Sequence, residues 1–240
     1  MLVDKRRALM FAAALAAATP AAAATSGTAS FLVVHGIPGR DVAETLDPSL
    51  PVDVQVNGSL CLLKGFTFGD IAGPYDVPTG TYTVSVSLAN PISPCSGTPV
   101  ITGSVTLTAG EFGAIVAQLS SSGAPTAGVY PIDVSAVAAG HERFIGVHAA
   151  DAPAIALKYK STLPTTGGEE FEIKLAPGAN GEHTTATREA FRLGVSTGKV
   201  FLGPTIVSDV NDRSVTFSAI VGSAATGSVT ILSKQLRNVH

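Results

Sequence analysis

Pro78-Thr79-Gly80-Thr81-Tyr82-Thr83-Val84-Ser85-Val86-Ser87-Leu88 joins a turn to a strictly alternating run. Tyr82, Val84, Val86 and Leu88 fall on one side, and Thr81, Thr83, Ser85 and Ser87 on the other. A period of two marks a half-buried β-strand, here apolar inward and hydroxyl outward. Pro78 presets one backbone angle of the turn and Gly80 leaves another free. The surrounding chain supplies partners for such a strand.

Far upstream, Asp4-Lys5-Arg6-Arg7 precedes an apolar run from Ala8 to Ala18, and Ala22-Ala23-Ala24 offers a small-residue cleavage site. Residues 1–24 therefore read as a secretory signal peptide, since the apolar run is far shorter than the ~20 residues of a spanning helix. Arg6-Arg7 leaves the twin-arginine route open beside the general one. Cleavage removes three cations and one anion, so a formal charge of −3 becomes −5 in the mature chain. An acidic chain is a poor nucleic-acid binder. Low charged content, 25 glycines, 15 prolines and no tryptophan suit an exported all-β protein of short strands and many turns. About 216 residues remain, enough for one large sandwich or two ordinary domains.

Outward from the quoted strand, Val52-Asp53-Val54-Gln55-Val56, Asn57-Gly58 and Ser59-Leu60-Cys61-Leu62-Leu63 spell a hairpin with a two-residue turn. That register puts Val54 opposite Cys61 and turns both toward the core. Cys61 and Cys95 are the only cysteines, and an even count in an exported chain reads first as a disulfide. Such a closure stabilises by roughly 3 to 4 kcal/mol in the chain-entropy account. A metal pair is the weaker reading, because no histidine stands at ligand spacing from either cysteine.

Ser30-Phe31-Leu32-Val33-Val34-His35 reads as a first strand stopped by Gly36, and residues 66–70 as a short strand or edge segment. Residues 100–108 alternate, Phe112 to Ala117 is apolar on both faces, and residues 129–134 close a unit of about seven strands. That count suits an immunoglobulin-like sandwich. The chain then starts over. Arg143-Phe144-Ile145-Gly146-Val147-His148-Ala149 echoes the first strand 113 residues earlier, and Phe217-Ser218-Ala219-Ile220-Val221 echoes Phe112-Gly113-Ala114-Ile115-Val116. Between them residues 161–188 are polar, with a strand signal only in Phe171-Glu172-Ile173-Lys174-Leu175. The expectation is an all-β chain of two immunoglobulin-like antiparallel β-sandwich domains in tandem after the signal peptide. They span 25–134 and 143–240, the second degenerate, with a linker at 135–142.

The Val34-His35-Gly36 and Val147-His148-Ala149 strand ends, the Val-Asp-Val strand with Asn-Gly, Pro78-x-Gly80-Thr81-Tyr82 and Phe112-x-Ala114-Ile115-Val116-Ala117 together resemble the bacterial domain-of-unknown-function family 4397. The resemblance covers most of 29–134 and, less fully, 143–236. It implies an exported β-sandwich, often repeated in tandem, and brings no catalysis, substrate or cofactor. The second copy lacks the Asn-Gly hairpin and the Pro-x-Gly-Thr-Tyr turn.

Several motifs invite chemistry. Gly194-Val195-Ser196-Thr197-Gly198 spells the nucleophile elbow of a serine hydrolase, and an esterase using Ser196 is the alternative function. The motif needs a strand-to-helix turn and a later histidine, whereas strand-like Lys199 to Pro204 follows and only His240 lies beyond. Leu163-Pro164-Thr165-Thr166-Gly167 spells a sortase signal without the hydrophobic stretch and basic tail it requires. His35 and His148 hold equivalent places and are expected to cap strand ends by bonding to nearby loop backbone. Glu169, Glu170, Glu172, Asp209 and Asp212 lack calcium-loop spacing and read as solubilising charge. Phe66, Phe68, Tyr75 and Tyr130 read as core rather than a sugar platform.

The functional expectation is a secreted, periplasmic or cell-surface protein without enzymatic activity or cofactor. It acts as a structural, adhesive or binding module toward cell-surface or matrix components. The loops at 36–51 and 151–166 are its expected contact surfaces. A peptidase inhibitor built on the loop around Cys95 is a third reading.

Overall fold

The computed structural model describes residues 27–162, 168–186, 190–197, 200–206 and 213–236. The expected signal peptide lies outside them, as do Leu163 to Gly167, Asp209 and Asp212. The first strands are β1 (Thr28–His35), β2 (Val52–Val56), β3 (Leu60–Phe66), β4 (Ile71–Pro78), β5 (Gly80–Leu88), β6 (Pro99–Leu107), β7 (Phe112–Leu119) and β8 (Pro125–Pro131). The rest are β9 (Glu142–His148), β10 (Ile155–Ser161), β11 (Glu170–Leu175), β12 (Asn180–Thr185), β13 (Phe191–Thr197), β14 (Val200–Ile206), β15 (Ser214–Val221) and β16 (Thr230–Leu236). One four-residue helix, α1 (Gly39–Val42), interrupts the loop after β1.

Four sheets result: sheet I, β4-β1-β7-β8; sheet II, β3-β2-β5-β6; sheet III, β12-β9-β15-β16; and sheet IV, β11-β10-β13-β14. Adding eight to each strand of sheets I and II reproduces sheets III and IV, so the two halves share one topology. The all-β sandwich expectation holds, with eight strands per half instead of seven. Sheets I and III are mixed, since β1 runs parallel to β7 and β9 parallel to β15.

The added strands are edge strands with weak signals. Gly73 and Pro74, joined by a cis peptide bond, interrupt β4, and Pro lacks the N–H that an inner strand must donate. The β12 sequence, Asn180-Gly181-Glu182-His183-Thr184-Thr185, is polar because it lies at a margin. The segment at 66–70 is no separate strand: Phe66 ends β3, and 67–69 turn into β4.

The Asn57-Gly58 hairpin forms one residue longer than expected. Asn57 and Gly58 take φ of 51° and 66°, but the turn runs through Ser59 and the ladder is bulged, so Gln55 pairs with Cys61 and Val54 with Leu63. One extra residue turns a side chain to the opposite face. Cys61 is consequently half-buried on the outer face of sheet II rather than in the core. The quoted strand, β5, keeps its alternation as far as Val86. There the β6 pairing shifts, and Ser87 is buried while Leu88 stays 46% exposed.

Core packing gives the architecture. Phe31, Val33 and Ile115 point into a core shared with Val52, Val54 and Val86 of sheet II. From the other faces of β1 and β7, Leu32, Val34, Ala114 and Val116 meet Ile145, Val147, Phe217, Ala219 and Val221 of sheet III. Phe144 and Ile220 then turn away to join Leu157, Tyr159, Phe191 and Leu193 of sheet IV. The sheets therefore stack in the order II, I, III, IV, with three apolar layers between them. The segment at 135–142 does not hang free: Val137 enters the central layer and Glu142 opens β9.

Polar contacts fasten that layer. The N–H of Gly222 donates to the carbonyl of Gly36 at 3.1 Å, Asn180 Nδ2 to Pro131 O at 2.8 Å, and Lys234 Nζ to Gly73 O at 2.6 Å. A Cβ on Gly36 would stand 2.6 Å from Val221 Cγ1, so glycine is required where the sheets close. Arg143 pairs with Asp133 at 3.0 Å and donates to the carbonyls of Asp133 and Ser135, tying 133–135 to β9.

Because the central layer belongs to both halves, the mature chain is expected to unfold in a single calorimetric transition. Phe217→Ala should lower its stability by about 3 to 5 kcal/mol. Two well-separated transitions, with only the later half affected by the substitution, would contradict the shared core.

Candidate functional site

The loops at the ends of β1 and β9 converge. Strands β1 and β15 end side by side, which brings residues 36–51, 149–154 and 222–229 onto one end of the stack. The second expected contact loop is shorter than 151–166, since β10 begins at Ile155.

Each loop is held by a buried imidazole. His35, 1% exposed, bonds through Nε2 to the Leu50 carbonyl at 2.8 Å, while Nδ1 accepts the N–H of Ile37 at 3.3 Å. One neutral tautomer thus spans both ends of the 36–51 loop. His148, wholly buried, bonds through Nε2 to the Pro153 carbonyl at 2.9 Å. Burial holds both rings below their ordinary pKa of 6.5, and the carbonyls they face pull the other way. These are strand-end fasteners, as expected.

Carboxylates complete the end. Asp41 of α1 accepts from Thr226 Oγ1 at 2.6 Å and Ser228 Oγ at 2.5 Å, which joins the first-half loop to the second half. Asp151 accepts from Ser223 Oγ at 3.3 Å, and its N–H donates to the Gly222 carbonyl. Arg40, Val42, Glu44, Thr45 and Asp47 are left outward as the exposed chemistry of the surface. Among the described residues no three His, Cys, Asp or Glu side chains gather as a metal site. The Asp41 and Asp151 contacts were not legible beforehand, because their partners lie up to 187 residues away.

A second fastened loop follows β5. Cys61 and Cys95 are bonded, with Cα atoms 5.8 Å apart, and the bridge draws residues 89–98 back over the outer face of sheet II. Beneath it lies Asp53, 1% exposed. Its carboxylate accepts the N–H of Cys95 at 2.8 Å, Gly65 at 2.9 Å and Asn90 at 3.1 Å. Burial pushes the Asp53 pKa up, but the three N–H donors together hold it below its ordinary value. Asn90 Oδ1 takes the N–H groups of Ile92 and Ser93, leaving Ile92 at the tip 94% exposed. The Asp within Val-Asp-Val carried no sequence signal of this role beyond sitting at an outward position.

The remaining motifs disperse. Ser196 sits within β13, paired with Ala156 of β10 and Phe201 of β14. A nucleophile elbow needs a strand-to-helix turn, and β13 instead runs into an antiparallel neighbour, so the position lacks that geometry. Glu169 holds Thr185 and His183, Glu170 pairs with Lys160, and Glu172 with Lys174, so these acids serve separate contacts. Phe66 is in the core of sheets I and II, Phe68 packs on the central layer, Tyr75 packs on Phe31 at 5.7 Å, and the Tyr130 hydroxyl donates to Gln118 Oε1 at 2.6 Å.

Two outcomes test these fasteners. Asp53→Ala leaves a buried site with three N–H groups unanswered, and with the disulfide intact it should cost about 3 kcal/mol in urea unfolding; a loss under 1 kcal/mol would deny Asp53 this role. For the imidazoles, a folded pKa below 6.5 means that the unfolded chain binds more protons. Their contribution is full above pH 6.5 and is lost as pH falls toward the folded value. The urea midpoint should therefore drop between pH 7.5 and 5.5, and more steeply in the parent than in His148→Gln, whose amide still donates to Pro153. Parallel profiles would remove the imidazole from the account. Buried Glu142, raised above its ordinary value by desolvation, has the opposite sign in both proteins.

No curated protein shows a match to this chain. Among solved structures, 88% of it aligns with 97% of a candidate cell adhesion protein of Bacteroides ovatus, at 10% identity and a TM-score of 0.27. The TIE protein of Bacillus anthracis aligns over 87% of this chain and 34% of its own, at 9% identity and a TM-score of 0.23. A leucine-rich repeat protein of Bacteroides thetaiotaomicron aligns over 83% and 26%, at 9% identity and 0.20. Superpositions this loose say nothing about function. The sequence profile described as a domain of unknown function, DUF4397, matches residues 29–158, from β1 through the central layer into β10. That span exceeds half of the 240 residues, and the chain belongs to the DUF4397 family.

Proposed function

We propose that this protein is an exported binding module without enzymatic activity, acting in a structural or adhesive role at the cell surface or its matrix. The observation that carries the reading is the convergence of loops 36–51, 149–154 and 222–229, locked by His35, His148 and Asp41. Loops held from beneath present a preorganised surface, and preorganisation lowers the entropic cost of contact. The position of Ser196 within a strand gives the esterase alternative nothing to build on.

The reading takes residues 1–24 as the export signal and 135–142 as the passage between sandwiches at 25–134 and 143–240. It treats the second as a diverged tandem copy of the first. The repeated strand order supports a duplication. The Cys61–Cys95 bridge suits an oxidising compartment.

The mature chain, residues 25–240, should co-sediment saturably with washed envelopes or matrix of the source cells, and a boiled control should not. Asp41→Ala, which releases the two halves of the loop surface from each other, should weaken that binding several-fold with little change in thermal midpoint. Absence of saturable binding would remove the cell-surface reading.

A further inference from the structure

The outer face of sheet IV departs from the acidic character of the mature chain. Lys160 lies between Glu170 and Arg192, Lys158 between Glu172 and Gly194, and Ala156 between Lys174 and Ser196. All six charged side chains in these rows are exposed. Lys160 pairs with Glu170 at 2.7 Å and Lys174 with Glu172 at 3.6 Å, while Lys158 and Arg192 form no ion pair among the described residues. Gly194, without a side chain, opens a floor beside both free cations. Two open troughs of about 620 and 400 Å³ meet at Lys158 and Glu172, one reaching Arg192 and the other Ser196. The depression is therefore elongated along β10.

We propose that this face binds an acidic polysaccharide, with uronate carboxylates on Lys158 and Arg192 and sugar hydroxyls on Glu170, Glu172 and Ser196. The inference deepens the binding-module reading and rests on it. Charge complementarity selects an anionic ligand, and the cations supply charge-assisted hydrogen bonds to carboxylates. The interleaved glutamates narrow the choice. They repel a polymer that offers only closely spaced charge, such as a polyphosphate or duplex DNA, whereas they accept hydrogen bonds from hydroxyl groups. A polyuronate carries both groups on every ring. The trough follows the strand, and residues two apart on a strand lie about 6.7 Å from each other. Lys158 and Arg192, the latter paired with Lys160 one such step along, can thus meet successive groups of a linear chain.

The test is affinity electrophoresis of the mature chain in gels holding polygalacturonate, neutral dextran or polyphosphate, with Lys158→Ala/Arg192→Ala as the variant. Both positions are exposed, so the variant should keep the parental thermal midpoint. Polygalacturonate should retard the parent, less so at high salt. The variant should bind it roughly tenfold more weakly, and dextran should retard neither. No retardation of the parent, equal retardation of the variant, or equal binding of polyphosphate would overturn the proposal. Envelope co-sedimentation separates the two readings. A parent that sediments with envelopes but ignores polygalacturonate defeats this inference alone, and a parent that does neither defeats both.

Discussion

The apolar layer between sheets I and III is the constraint on which the rest of the molecule depends. Strands β1, β7, β9 and β15 carry large apolar side chains on both faces, and neither face can be left in water. Two isolated sandwiches would cover one face of each inner sheet and expose the other. Stacking four sheets covers both faces of these inner strands and leaves to solvent the outer faces of sheets II and IV and the margins of sheets I and III. The inner strands are accordingly built mostly of Val, Ile, Phe and Ala, and those of the outer sheets alternate with Thr, Ser, Lys and Glu.

That stacking explains where the polar side chains do their work. The polar side chains that fasten loops sit where a connection leaves the stack and must be brought back over it. Imidazoles hold loops at the ends of β1 and β9, Asp53 holds the loop drawn in by the disulfide, and Asp41 crosses from one half to the other. Burying such groups without partners would be costly, and each bonds to main-chain N–H or C=O groups or neighbouring hydroxyls, His148 through Nε2 while its Nδ1 has no partner among the described residues. The result is a rigid scaffold with fastened edges, a suitable platform for surface recognition. The two surfaces singled out, the converged loop end and the trough on sheet IV, differ accordingly. One is formed by loops from both halves, the other by regular strands of a single sheet.

The family profile extends into β10, past β8, the last strand of the first half. The stack gives a physical sense to that reach. Strand β9 supplies Ile145 and Val147 to cover Leu32 and Val34 of β1, so what completes the first half lies partly in the sequence of the second.

Local pattern already decided a good deal. Alternation named β5, the two-faced apolar run of Phe112 to Ala117 marked β7 as an inner strand, the echoes of the first half pointed to β9 and β15, cysteine count paired Cys61 with Cys95, and the twin histidines read as caps. Tertiary structure decided what a period of two cannot carry. The letters align Ile220 with Ile115, yet the strands place Ile220 opposite His148 as Ala117 is opposite His35, a slip of two residues that leaves every face unchanged. One extra turn residue, Ser59, did the reverse, moving Cys61 from the expected inner face to the outer one. Edge strands β4 and β12 escaped notice because an edge tolerates proline and polar residues. Which sheet covers the second face of β1 is written nowhere near β1. It depends on side chains more than a hundred residues away, and only the folded chain brings them together.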